Sequence, residues 1–269
     1  MSRHLISLLF LSTVVSTRPA LAQDQAGLAR WLESCERNGN RNRSRSCELR
    51  EYTVPRTSQL VVDGKQNGSV AFFGSDRSDV RIVAMIQAEA GSDDEAEALA
   101  KQLKVETAGG RVHTEGPEWR RNTSWSVSYH IYVPRQSNLE AETYNGGVSA
   151  QLVNGTMRFT AVNGGISVDQ VSGDVRGETT NGGVHARLAG TSWTGNGLNL
   201  RTTNGGVSLM IPRGYNARLE TGTVNGGMNF DFPITVRGRL DREISTQLGS
   251  GGPLVRATTT NGGVRIQQR

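Results

Sequence analysis

Residues 175–187 run Val-Arg-Gly-Glu-Thr-Thr-Asn-Gly-Gly-Val-His-Ala-Arg. Small or apolar residues alternate with polar ones on both sides of the central Asn-Gly-Gly. Side chains of a strand point to opposite faces with period two, so this stretch predicts two short strands meeting at a corner, each with one face turned inward. The tripeptide recurs at Asn145, Asn163, Asn181, Asn204, Asn225 and Asn261, at spacings of 18, 18, 23, 21 and 36 residues. A fixed period of this size is the signature of a repeat architecture.

Aligning each copy on its Asn gives consistent columns. Six residues before it stand Leu139, Met157, Val175, Leu198, Leu219 and Val255; two before it, the small residues Thr143, Ala161, Thr179, Thr202, Thr223 and Thr259. Three after it stand Val148, Ile166, Val184, Val207, Met228 and Val264, and between the apolar columns lie polar ones such as Ser149, Ser167, His185, Ser208, Asn229 and Arg265. Asn-Gly is favoured where both central turn residues need positive φ, and stacked Asn side chains can hydrogen-bond up the stack. The six Asn are therefore expected to be structural turn residues. A second corner recurs about nine residues on, at Asn154-Gly155, Ser172-Gly173 and Ala189-Gly190. The expectation is a mainly β fold, a β-solenoid with two short strands per coil of roughly 18 residues. The 36-residue gap equals two periods and leaves room for a degenerate coil within 232–253. The final strand, Val264 to Gln268, is expected to be an edge, blunted by Arg265, Gln267 and Arg269 or offered to another chain.

The stretch before the repeat carries different signals. Residues 1–22 have the form of a secretory leader: Arg3 and His4, an apolar run from Leu5 to Val15, and Ala20-Leu21-Ala22 as the cleavage pattern. The run is too short to span a membrane, and no second candidate span follows. An exported location in periplasm, envelope or medium is expected. Residues 23–56 form an N-terminal segment with a short helix at Leu28–Leu32 and a polar stretch ending at Pro55. Export makes Cys35 and Cys47, the only two cysteines, an expected disulfide. The loop between them carries Arg37, Arg41, Arg43 and Arg45, either a patch for anionic polymers or a solvated, pinned loop.

Residues 57–134 predict a β-rich cap carrying one helix. Ser92-Asp93-Asp94-Glu95 is a capping box, and Ala96, Leu99, Ala100 and Leu103 then fall on one face. Strands are expected at Val80–Ala90, Lys104–Thr107, Arg111–Thr114 and Ser124–Val133. The helix is expected to lie across the start of the stack, which fills residues 135–269.

Val62-Asp63-Gly64, Asn67-Gly68-Ser69-Val70, the acidic Ala-rich helix, Trp125 to Tyr129 with Val133-Pro134, and the tandem Thr-x-Asn-Gly-Gly-Val coils together resemble the bacterial putative-adhesin domain family. The resemblance covers about residues 58–269 and implies a β-solenoid and surface adhesion, with no catalytic residue to carry over. Residues 23–56 lie outside it.

The chain carries 30 Lys and Arg against 25 Asp and Glu, and loss of Arg3 and Arg18 with the leader lowers the net charge from +5 to +3. That is not a nucleic-acid-binding charge density. His113, His130 and His185 have no metal-ligand spacing, and no phosphate loop or calcium repeat occurs, so no metal, cofactor or catalytic residue is expected. Outward charges such as Glu142 and Arg158 are expected to pair between coils on a solvated face. Trp193, in the insertion 192–197, either stacks on a sugar ring or folds over the coil as packing. The expected function is a non-enzymatic binding or structural module whose partner is an envelope polymer, glycan or protein. The alternatives are a carbohydrate-processing enzyme or accessory on the same scaffold, and an envelope signalling component docking by its terminal strand.

Overall fold

The computed structural model describes residues 20–37, 43–118, 122–234 and 242–269. The expected leader lies outside the described residues up to position 19. Helix α1 (Ala20–Arg37) is followed by strands β1 (Ser44–Pro55), β2 (Leu60–Asp63), β3 (Val70–Ser75) and β4 (Asp79–Ala90). Helix α2 (Asp93–Gln102) leads into β5 (Lys104–Glu106), β6 (Arg111–Glu115) and β7 (Ser124–Pro134). The repeat supplies β8 (Leu139–Thr143), β9 (Val148–Gln151), β10 (Asn154–Ala161), β11 (Ile166–Asp169), β12 (Ser172–Asn181) and β13 (Val184–Arg187). It continues through β14 (Gly197–Asn204), β15 (Val207–Ile211), β16 (Ala217–Asn225), β17 (Met228–Phe230), β18 (Glu243–Leu248), β19 (Leu254–Asn261) and β20 (Val264–Gln268).

The strands build two ten-stranded sheets, ordered β1-β4-β7-β3-β9-β11-β13-β15-β20-β17 and β5-β6-β2-β8-β10-β12-β14-β19-β16-β18. Each Asn-Gly-Gly corner joins a strand of one sheet to a strand of the other, making a layer. Within the repeat, neighbouring layers pair in parallel and in register: Leu139–Met157–Val175–Leu198–Val255–Leu219 in one sheet, Val148–Ile166–Val184–Val207–Val264–Met228 in the other. Like side chains thus stack on like, and the inward columns fuse into one apolar core running the length of the molecule. Volume is balanced between layers. Phe159 stacks on Phe72 at 5.9 Å and is flanked in its own column by Ala141 and Gly177. Leu200 fills the space at Gly177, where a Cβ would come within 2.8 Å of its Cδ2.

The corner glycines serve close approach, not positive φ. Of the glycines in the six tripeptides only Gly262 has a positive φ, at 153°. A Cβ on Gly164, Gly182 or Gly205 would lie 2.1, 2.3 or 2.1 Å from the carbonyl oxygen of the equivalent glycine in the layer below. No side chain fits against a backbone oxygen at that distance. The Asn side chains form a ladder in which each Nδ2 donates to the Oδ1 below: Asn225 to Asn261 (2.7 Å), Asn261 to Asn204 (2.8 Å), Asn204 to Asn181 (2.9 Å), Asn181 to Asn163 (2.8 Å) and Asn163 to Asn145 (2.8 Å). A seventh member, Asn67, accepts from Asn145 at 3.0 Å. The small column two residues before the Asn adds a hydroxyl series: Thr179, Thr202 and Thr259 donate to the carbonyls of Gly164, Gly182 and Gly205 at 2.6–2.8 Å.

The C-terminal strand is not an edge. β20 pairs with β15 on one side and β17 on the other, and β19 lies between β14 and β16. The last coil of the chain is therefore the second-to-last layer, and docking by a free terminal strand is excluded by this pairing. The described part of 232–253 is not a further parallel coil either: β18 runs antiparallel to β16, Ala217 opposite Leu248. The N-terminal end is permuted in the same way. β2 and β3 pair with β8 and β9, and β6 and β7 pair with β2 and β3, so the first coil of the chain is the second layer.

While the other sheet ends on the three-residue strand β5, that of β7 continues beyond it as β4 and β1. α2 packs against these two strands, with Leu99, Ala100 and Leu103 in the main core. Ser92 caps it by accepting from the Glu95 N–H at 3.3 Å, while the Glu95 carboxylate accepts from the N–H of Gly91 at 3.1 Å. Arg50 of β1 donates to the carbonyls of Ala100 (2.8 Å) and Leu103, satisfying the helix C-terminus. The stretch after Cys47, expected to be merely polar, is thus the long strand β1, paired along its whole length with β4. α1 covers the opposite face, where Leu28 meets Val83, Met85 and Tyr132, and the disulfide Cys35–Cys47 ties it to β1.

Candidate functional site

The outward faces come first, because the repeat places them most regularly. On one sheet Glu140, Arg158, Arg176, Asn199, Arg256 and Glu220 follow one another layer by layer; on the other, Ser149, Ser167, His185, Ser208, Arg265 and Asn229 do. Register places Glu142 opposite Thr160 and Arg158 opposite Glu140, so the expected Glu142–Arg158 pair does not form as neighbours. Arg158 and Arg176 instead share Asp174, at 3.9 and 3.5 Å, and Arg187 Nε donates to Asp169 Oδ1 at 2.6 Å. The Asp169 carboxylate raises the Arg187 pKa through that hydrogen bond and its charge. Exposed pairs of this kind are screened by water and serve solvation more than stability. His185 stands between Ser167 and Ser208 and is exposed. Among the described residues no group of three His, Cys, Asp or Glu is arranged to hold a metal ion.

Several residues singled out for ligand contact have other roles. Trp193 is buried, and its indole N–H donates to the Gly173 carbonyl at 3.0 Å, so its ring packs over the coil and cannot stack on a sugar. Tyr215 is buried as well, and burial pushes its hydroxyl up to about 12. Arg45 lies across from Glu89 in the β1–β4 register, donating to it at 2.9 Å from Nε and to the Cys35 carbonyl at 3.3 Å. Arg43 also faces Glu89, at 3.9 Å. These two arginines are held by the disulfide region, and Arg41 lies outside the described residues. Tyr144, beside the ladder, is exposed.

A concave site opens at the N-terminal end of the stack. It has a volume of about 500 Å³ and lies between the corner 64–67 and the segments 114–118 and 125–129. Its floor is the buried Tyr129 hydroxyl, 2.6 Å from Thr114 Oγ1. Burial raises the Tyr129 pKa well above the ordinary phenol range, so the hydroxyl stays neutral. One wall is Trp125, fixed by an indole N–H donated to the Pro117 carbonyl at 3.0 Å and packed on Gly116, where a Cβ would come within 2.9 Å of the ring. Glu115 and Glu118 line the rim, and Lys65 opposite them is paired with Asp63 at 2.9 Å. Asn67 completes the lining.

The repeat alignment misses Asn67 because its coil is one residue longer. Leu60 and Val70 stand opposite Leu139 and Val148, with nine residues between them instead of eight. The extra residue is taken up at Lys65, which adopts φ 51°. The signal for it was the Asp63-Gly64 and Asn67-Gly68 pairs in one short turn.

No family model matches the chain, and no curated protein does. Among solved structures it is similar to a putative cell adhesion protein from Clostridium sporogenes, at 13% identity over 83% of this chain and 100% of that one, with a TM-score of 0.48. It is also similar to a putative adhesin from Bacteroides fragilis (12%, 83% and 97%, TM-score 0.36) and to a putative lipid binding protein from Parabacteroides distasonis (11%, 86% and 98%, TM-score 0.32). Likeness at this level carries no argument about function, so the functional reading rests on the chain's own residues.

Proposed function

We propose that this chain is an exported, non-enzymatic β-solenoid, an adhesin-like or structural binding module of the bacterial cell envelope. One observation carries the reading: the in-register columns make two long outward strips of polar side chains, repeated at the spacing of the layers. Neighbouring strands lie about 4.8 Å apart, so such a strip offers polar contacts of mixed sign at regular intervals. That suits a repetitive polymer, held by many weak contacts rather than one deep one. The Cys35–Cys47 bridge supports an oxidising compartment, and among the described residues no helix is long and apolar enough to cross a membrane. The test is a pull-down from envelope extract with mass spectrometry and glycan analysis. Specific retention of an envelope polymer, glycan or protein is the expected result, and a purified protein that retains none overturns the reading.

The alternative of a carbohydrate-processing role has one observation in its favour: Glu115 and Glu118 line the same cleft. Two carboxylates flanking a glycosidic bond are the usual hydrolytic pair. Release of reducing ends from a bound polysaccharide, lost in Glu115→Gln and Glu118→Gln, would replace the binding reading with this one.

A further inference from the structure

The Asn ladder has a direction. Every Nδ2 donates toward the N-terminal end of the stack, from Asn225 through Asn261, Asn204, Asn181, Asn163 and Asn145 to Asn67. Each amide from Asn261 to Asn145 both accepts and donates, and chains of this kind polarise each successive donor. The donor end of seven aligned amides is therefore the side-chain NH₂ of Asn67. One more layer, β6 with β7, lies beyond Asn67, but its corner carries no Asn-Gly-Gly. The register that sets Val70 against Tyr129 puts Ser126 at the place of an eighth ladder residue, and Ser126 and Asn67 both line the cleft. Among the described residues Asn67 Nδ2 donates to no protein acceptor.

We propose that this cleft is a saccharide site that takes an N-acetylated amino-sugar unit, with the acetamido carbonyl accepting from Asn67 Nδ2. The assignment deepens the binding-module reading and rests on it. The chemistry narrows as follows. A polarised NH₂ calls for an acceptor oxygen. Among the described residues the rim carries Glu115 and Glu118, with Lys65 paired to Asp63, a balance that disfavours an anionic acceptor and favours a neutral carbonyl or hydroxyl. The two carboxylates in turn accept from ligand O–H or N–H groups. Trp125 gives a held aromatic wall of the kind against which sugar rings stack their C–H face. A volume of about 500 Å³ lies within the ordinary range for small-ligand clefts. Tyr144 extends the site along the stack: it is exposed, and its N–H donates to the Lys65 carbonyl at 3.0 Å, which sets it beside the rim. An acetamido group matches both its acceptor and its donor to this lining, whereas a plain glucose unit has no carbonyl for Asn67.

The experiment is an NMR titration of the full ¹⁵N-labelled chain with N,N′-diacetylchitobiose, with cellobiose as the comparison sugar. The expected result is saturable movement of the Trp125 indole and Asn67 amide signals, with cellobiose weaker by about tenfold, the equivalent of one good hydrogen bond. Asn67→Asp keeps an oxygen for Asn145 but removes the donor, and should weaken diacetylchitobiose by about tenfold. Glu118→Gln, an exposed change that leaves folding intact, should weaken it by roughly threefold. Equal binding of the two sugars, unmoved cleft signals, or full affinity in both variants overturns the proposal. A chain that retains envelope polymer in pull-down while its cleft signals stay still overturns the cleft assignment alone. A chain that retains nothing and shows no shift overturns the binding-module reading as well.

Discussion

The two ends of the stack solve the same problem with different means. A parallel layer presents on its outer side the same ladder that it received on its inner side, so a repeat left to itself would accept another copy. At both ends the chain tucks its terminal coil inside: β2 and β3, first in sequence, lie under β6 and β7, and β19 and β20, last in sequence, lie under β16 and β17. Antiparallel strands then stop the series. The N-terminal end uses β4, β1 and β5, a helix and a disulfide. Among the described residues the C-terminal end uses only β18, against a coil whose second strand is three residues long. The hollows differ accordingly. The N-terminal cleft has a fixed Trp wall and the donor end of the ladder, whereas the other end has a hollow of about 600 Å³ lined by Arg218, Thr246, Gln247 and the turn 249–252, and a smaller one beside Tyr215 and Phe232. The difference teaches that closing a stack and shaping a hollow are separate tasks, and the proposed ligand site lies at the more elaborate end.

The largest test of this picture is removal of residues 264–269. A terminal edge strand would be dispensable to the fold. An interior β20 is not: its loss strips two partners of their ladder bonds and removes the fully buried Val264 and Ile266. Each such side chain contributes about 1.5–3 kcal/mol, and the backbone bonds about 1 kcal/mol each. The expected outcome is loss of cooperative unfolding in the C-terminal third, seen as hydrogen exchange in β14 to β17 rising toward the unprotected rate. Protection unchanged from the full chain would return β20 to the edge and dissolve the likeness between the ends.

That coil order was not legible in the sequence, and the reason is physical. Periodicity identifies coils because the inward columns must be apolar and the corners must be small. It says nothing about which coil lies on which, because every layer offers the same ladder above and below. The corners, the inward columns from Leu139 to Val255 and the α2 cap are readable because each demands a narrow class of side chain: small at the corner, apolar inward, Ser and Glu at the cap. β1 was missed because Arg45, Arg50 and Glu51 look solvated. Its charges are spent on neighbours: Arg45 meets Glu89, Arg81 Nε donates to Glu51 at 2.6 Å, and Arg50 closes α2. Arg81 accordingly lowers the Glu51 pKa. Trp193 was left open between packing and recognition because an insertion gives no period to place it. Of the proposed cleft, Asn67 is concealed by one extra residue, and nothing in the alternation of β7 marks Trp125 as a wall of the cleft.

Glycine substitutions separate the first corner glycine, where a Cβ would meet backbone even in the outermost layer (Gly226, 2.0 Å from the Gly262 oxygen), from the second, where in that layer it would meet nothing. A Cβ at Gly205 would lie 2.1 Å from the Gly182 carbonyl, with layers on both sides preventing retreat. Gly205→Ala should therefore cost about 3 kcal/mol or more, at the upper end of overpacking penalties. At Gly227, in the outermost layer, a Cβ would meet nothing within 4 Å. Gly227→Ala should change stability by no more than about 0.5 kcal/mol. Urea unfolding of the two variants reads the difference directly. Similar penalties at both positions would mean that turn conformation, not the approach of neighbouring backbones, selects glycine at the corner.

The smallest effect sits in the ladder itself and bears on both ends at once. Asn181 donates to Asn163 and accepts from Asn204, whereas Asn225 only donates, to Asn261. Replacing an exposed amide by Ala loses about 0.5–1.5 kcal/mol per hydrogen bond, less where water takes over. Asn181→Ala should cost about 1–2 kcal/mol and Asn225→Ala about half of that, measured as shifts in urea midpoint at constant slope. Ligand choice should be the same for both variants and the parent, because the columns and the cleft lining are untouched. The affinity of diacetylchitobiose tests the polarity of the ladder separately. If polarisation runs the whole length, Asn181→Ala, which cuts the series between its ends, weakens binding at Asn67 more than Asn225→Ala, which only shortens it. Equal affinities in the two variants would confine the effect to the nearest amides, and unchanged melting with lost polymer binding in Asn181→Ala would make the corner a contact surface and not a joint.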